Sequence, residues 1–70
     1  MAKHKSTTVV VKAVQDFDYL TGGREYRMTT RDGSRFVDFR RNDDSGIGTY
    51  IPAWQVKHGF ARGALAIVEA

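Results

Sequence analysis

The stretch Tyr26 to Arg41, YRMTTRDGSRFVDFRR, alternates apolar and polar residues on both sides of Asp32-Gly33. A period of two belongs to β-strands that bury one face, and few other local structures tolerate it. Asp-Gly between two such runs predicts a tight hairpin, because both central residues of a type I′ turn need positive φ. With Asp32 and Gly33 as a two-residue loop, Arg31 is expected opposite Ser34, Met28 opposite Val37, Arg27 opposite Asp38 and Tyr26 opposite Phe39. A four-residue loop from Arg31 to Ser34 keeps the same facing. Apolar then meets apolar and Arg27 meets Asp38, each matched pair contributing about 0.2–1 kcal/mol.

This register sorts the side chains into two faces. Tyr26, Met28, Val37 and Phe39 share one, which is expected to be the core face. Arg27, Thr29, Arg31, Phe36, Asp38 and Arg40 share the other, with Arg41 just past it. A three-residue loop with a bulge would slip one strand by one residue and turn its side chains over. The unslipped register is preferred because it leaves no mispaired charge.

Seventy residues make one domain, near the lower limit for a self-sufficient core, since a chain of this size buries only about 60% of its unfolded surface. The absence of cysteine rules out a disulfide or a cysteine-based zinc site, and His4 and His58 are far apart in sequence, so no metal or other cofactor is expected. The longest apolar runs, such as Val9-Val10-Val11, are far too short to span a bilayer. The start, MAKHKSTT, is basic and polar without the apolar stretch of a signal peptide, so a cytoplasmic location away from membranes is expected. The net charge of +3 is a mild excess, but seven of the eleven positive residues are arginines, and four of those lie between Arg27 and Arg40.

Residues 1–6 are expected to form a flexible basic arm and residues 7–70 a single β domain. Thr7 to Val14 is rich in β-branched residues and predicts a strand buried through Val9, Val11 and Val14. Asp16 to Arg24 reads as a loop with a tight reversal at Gly22-Gly23, and Asn42 to Gly48 as a second turn-rich connection. Thr49 to Ile51 predicts a short strand ended by Pro52, which cannot donate to a ladder. Pro52 to His58 predicts one or two helical turns, with Pro at the first helical position and Gly59 just past the end. Ala64 to Glu69 predicts the last strand. Five short strands at close spacing make this an all-β chain, expected to be a small, partly open five-stranded antiparallel barrel with one short helical turn near residues 52–58.

Two segments give that barrel a family resemblance. Ala13-Val14-Gln15-Asp16-Phe17 resembles the ALYDY segment of SH3 domains. Gly48-Thr49-Tyr50-Ile51-Pro52-Ala53-Trp54-Gln55-Val56 resembles the later stretch in which an apolar strand precedes P-x-x-Y-V and a short 3₁₀ turn. The resemblance implies an SH3-like barrel. It does not extend to proline-rich ligands: Gln15 and Gln55 stand where the family has groove tyrosines, and Arg35-Phe36 occupies the region of its tryptophan pair.

The candidate chemistries are few. Arginines pair with phosphates and an exposed aromatic among them can stack a base, so Arg27, Arg31, Phe36, Arg40 and Arg41, with Lys3 and Lys5 from the arm, form a candidate nucleic-acid site. The competing reading of this face is a solvated sheet surface with Phe36 packed under the helix or the arm, and Asp38 in its middle opposes a polyanion. Trp54, the single tryptophan, reads as a core plug or, with Phe36 and Tyr50, as a protein-interaction anchor. Asp16, Asp18, Asp43 and Asp44 sit where turns favour Asp and lack metal-ligand spacing. No nucleophile elbow or phosphate loop is present, so an enzyme is not expected. The leading expectation is a non-catalytic module contacting nucleic acid through the arginine face. The rival is a protein-interaction or self-assembly module, such as a small structural or accessory component of a virus or phage particle, or an inhibitor of a host protein.

Overall fold

The structure is a computed structural model and describes residues 5–43 and 45–69. Five strands, β1 (Ser6–Ala13), β2 (Glu25–Arg31), β3 (Phe36–Arg41), β4 (Gly48–Pro52) and β5 (Leu65–Glu69), and one helix, α1 (Ala53–Ala61), make up the chain. All ladders are antiparallel and the strand order is β4-β3-β2-β1-β5. The first four strands form a meander, and the last returns beside the first. The expected all-β class, with five antiparallel strands and one short helical segment, is what the chain adopts.

Every strand and the helix contribute to one core, which holds Val11, Tyr26, Phe39, Ile51, Val56 and Leu65 among others. The loop between β1 and β2 adds Phe17 and Leu20, which pair with each other through two backbone hydrogen bonds. Asp16 accepts a hydrogen bond from the Gly22 N–H at 2.7 Å, and the Tyr26 hydroxyl accepts one from the Thr21 N–H at 2.8 Å. These local bonds fold the loop back on the core face. Helix α1 contacts β3, β4 and β5, so it spans the gap between the two sheet edges on the core side. Among the described residues no helix is long and apolar enough to cross a membrane.

The helix departs from expectation. Pro52 is its N-cap, with φ −55° and ψ 139°, and the helix runs three residues past His58 to Ala61. Gly59 lies inside it and is buried, because a β-carbon there would come within 2.7 Å of the Phe17 ring and 3.1 Å of Leu65. The stop comes four residues later at Gly63, with φ +78°. The Gly63 N–H donates to the Phe60 carbonyl and the Ala64 N–H to the Gly59 carbonyl, the paired bonds of a Schellman cap.

The buried stripe of α1 is Val56 and Gly59, flanked by half-buried Ala53 and Phe60. Trp54 falls off that stripe and is 71% exposed, so it is not a core plug. Val14 is likewise exposed, since β1 ends at Ala13 and the Val14 N–H turns to the Ala64 carbonyl. Ser6 belongs to β1, not to the expected arm, and the rest of that arm up to His4 lies outside the described residues.

Candidate nucleic-acid interface

The hairpin of β2 and β3 keeps its expected facing and loses its expected register. Met28 pairs with Phe39, Arg27 with Arg40, Tyr26 with Arg41 and Thr29 with Asp38. The expected pairs Met28–Val37, Arg27–Asp38, Tyr26–Phe39 and Arg31–Ser34 are therefore replaced. The loop explains the shift. The Ser34 N–H donates to the Arg31 carbonyl at 3.1 Å, and Gly33 takes φ +78° while Asp32 does not go positive, the pattern of a type II rather than a type I′ turn. Ser34 Oγ then accepts the Phe36 N–H at 3.2 Å, and the Arg35 carbonyl accepts the Ala53 N–H at 2.8 Å, which holds Ser34 and Arg35 out of the ladder. The ladder slides by two residues, and an even slip returns every side chain to its own face.

Tyr26, Met28, Val37 and Phe39 are accordingly buried, while Arg27, Arg31, Phe36 and Arg40 are exposed on the outer face. Phe36 is 54% exposed and is packed under neither the helix nor any described part of the arm. Beside it stands Tyr50 of β4, 61% exposed, which faces the same way because its neighbour Ile51 is buried. Phe36 pairs with Pro52 and Asp38 with Tyr50, so the two rings are diagonal neighbours, two rungs apart on one face of adjacent strands. With Ser34 they border a shallow groove of about 410 Å³. The contribution of Tyr50 to the arginine face was hidden in the sequence, although its alternation with Ile51 carries the signal.

Arg27 directly opposite Arg40 is a like-charge pair, which by itself destabilises a sheet. Among the described residues neither guanidinium is firmly neutralised. Arg27 reaches the Arg41 and Asp43 carbonyls only at 3.4 and 3.5 Å, and Arg40 Nε lies 3.6 Å from Asp38 Oδ1. Farther from the hairpin turn a charge is matched, with Glu25 opposite Lys12. The positive and aromatic character is concentrated toward the hairpin turn, where the Lys5 carbonyl accepts the Asp32 N–H and Lys5 is exposed.

One expected member does not join this group. Arg41 has the parity of Phe39 and is half-buried on the opposite side, lining a cleft of about 220 Å³ with Tyr19, Leu20, Tyr26 and Ile47. Lys3 lies outside the described residues. Of the acids, Asp43 is a turn residue: its carboxylate accepts the Ser45 N–H at 2.8 Å, and hydrogen bonding by Ser45, helped by Arg41 and Arg24, draws its pKa below the ordinary carboxylate value. Asp18 accepts a hydrogen bond from Gln55 at 3.0 Å, and Asp44 lies outside the described residues. Among the described residues no three His, Cys, Asp or Glu side chains cluster to hold a metal ion.

Comparison with protein families, with curated proteins and with solved structures finds no match for this chain. The chemistry of the outer face therefore rests on its own residues.

Proposed function

We propose that this chain is a non-catalytic binding module that contacts nucleic acid through the outer face of the β2–β3–β4 sheet. The observation that carries this reading is the exposure of Phe36 and Tyr50 side by side beneath the Arg27–Arg40 pair. Exposed rings provide stacking platforms worth about 1–3 kcal/mol per base. A like-charge arginine pair that costs stability in the free protein is relieved when a phosphate bridges it. An SH3-like reading of the barrel is part of the proposal, supported by the meander whose final strand returns beside the first.

The test is fluorescence anisotropy with a labelled mixed-sequence oligonucleotide over a range of salt concentrations. Arg27→Ala and Arg40→Ala should each weaken binding, and each should reduce the slope of log affinity against log salt by about 0.7. Salt-insensitive binding, or no binding to any oligonucleotide, would remove the reading. A second reading, a protein-docking module, is favoured by the exposure of Trp54 next to the Pro52 end of β4. It predicts that Trp54→Ala, and not Arg27→Ala, abolishes capture of a partner.

A further inference from the structure

We infer that the outer face takes single-stranded nucleic acid and that Asp38 selects bases carrying an exocyclic amino group; the inference rests on the nucleic-acid reading above.

The shape of the face excludes groove reading. Entering a major groove takes a projecting helix or a two-stranded ribbon. Here β2 and β3 are flanked by β1 and β4, and α1 packs on the core side, so nothing among the described elements projects from the outer face. What the face does offer is two exposed rings, and ring faces stack on unpaired bases whose own faces are open.

Asp38 then acquires a role. A carboxylate repels phosphate, and its presence among arginines is unfavourable if the backbone of the ligand crosses it. It lies directly opposite Tyr50 and two residues from Phe36 along β3, roughly 7 Å away, between the two stacking positions. Its side chain is 14% exposed, and among the described residues its one charged partner is Arg40 at 3.6 Å, beyond hydrogen-bond range. No hydrogen bond reaches its oxygens from the described residues, so both retain acceptor capacity, and Asp38 lines a small cleft of about 130 Å³ with Arg40, Thr49 and Tyr50, on the other side of Tyr50 from Ser34. The backbone of the strand runs along Arg27, Arg31 and Arg40, and a base lies over Asp38. A carboxylate accepts from the amino group of cytosine or adenine and faces the lone pairs of the uracil carbonyl at the same position.

The experiment compares roughly ten-nucleotide oligo-dC, oligo-dU and a mixed-sequence duplex on the wild-type protein and Asp38→Asn. Oligo-dC and oligo-dU differ at the base in an amino group against a carbonyl at C4 and in N3, an acceptor in cytosine and an N–H donor in uracil, so the Asp38→Asn comparison is what ties a preference to the carboxylate. The inference expects both single strands to bind more tightly than the duplex, and oligo-dC about tenfold more tightly than oligo-dU. Asp38→Asn, which keeps the shape and adds a donor, should erase that preference by strengthening oligo-dU more than oligo-dC. Equal affinity for the two, or an Asp38→Asn gain equal for both, would overturn the selection while leaving nucleic-acid binding intact. A duplex bound as tightly as the single strands would overturn the single-strand inference alone. Absence of binding to all three would overturn the inference together with the reading beneath it. If Asp38→Asn fails to fold, equal affinity of the wild type for oligo-dC and oligo-dU still overturns the selection.

Discussion

The two faces of the β2–β3 hairpin are drawn from alternating residues of one short segment, and their energetics run in opposite directions. The inner face pairs Met28 with Phe39 and buries both, so its register satisfies packing. The outer face pairs Arg27 with Arg40, so the same register costs stability there, and its parity leaves Phe36 and Tyr50 in water. The loop bonds that hold Ser34 and Arg35 out of the ladder set this register, and the outer face carries the resulting like-charge pair.

This contrast can be broken by substitution. Phe39→Ala empties the centre of the core, where Phe39 is fully buried, and should cost about 3–5 kcal/mol, read as a large fall in the urea midpoint. Gly59→Val forces a branched side chain against Phe17 and Leu65 and should cost about 1–3 kcal/mol by the same measurement. At Gly63, alanine must adopt the left-handed conformation of the helix cap and should cost about 1 kcal/mol, a shift of several degrees in Tm for a domain this small. The outer face should respond with the opposite sign. Arg27→Thr removes a like-charge pair and should stabilise by a few tenths of a kcal/mol while weakening oligonucleotide binding. A loss of stability as large as that of Gly63→Ala would mean that Arg27 is part of the scaffold.

The sequence made the facing of the hairpin legible because facing depends only on parity, and the two-residue slip preserves parity. The register was not legible, since it depends on bonds outside the hairpin pattern: Ser34 Oγ to the Phe36 N–H and Ala53 to Arg35. Charge matching of Arg27 with Asp38 misled because a surface pair is worth too little to hold a register against those loop bonds. Gly59 read as a stop because glycine usually ends helices, whereas here its lack of a side chain admits Phe17. Trp54 read as core because helix rotation is set by Val56 and Gly59, which local sequence does not rank above a tryptophan. Arg41 was grouped with Arg40 by adjacency, although consecutive strand residues face opposite sides.

The central claim is that ligand binds the outer face of the hairpin and leaves its inner side untouched. An NMR titration of the ¹⁵N-labelled protein with single-stranded oligonucleotide tests it residue by residue. The account predicts salt-sensitive shifts at Arg27, Arg31, Phe36, Asp38, Arg40 and Tyr50, with the Tyr19–Ile47 cleft and β5 unchanged. Shifts centred on Trp54 or on the Arg41 cleft, or none at saturating oligonucleotide, would contradict it.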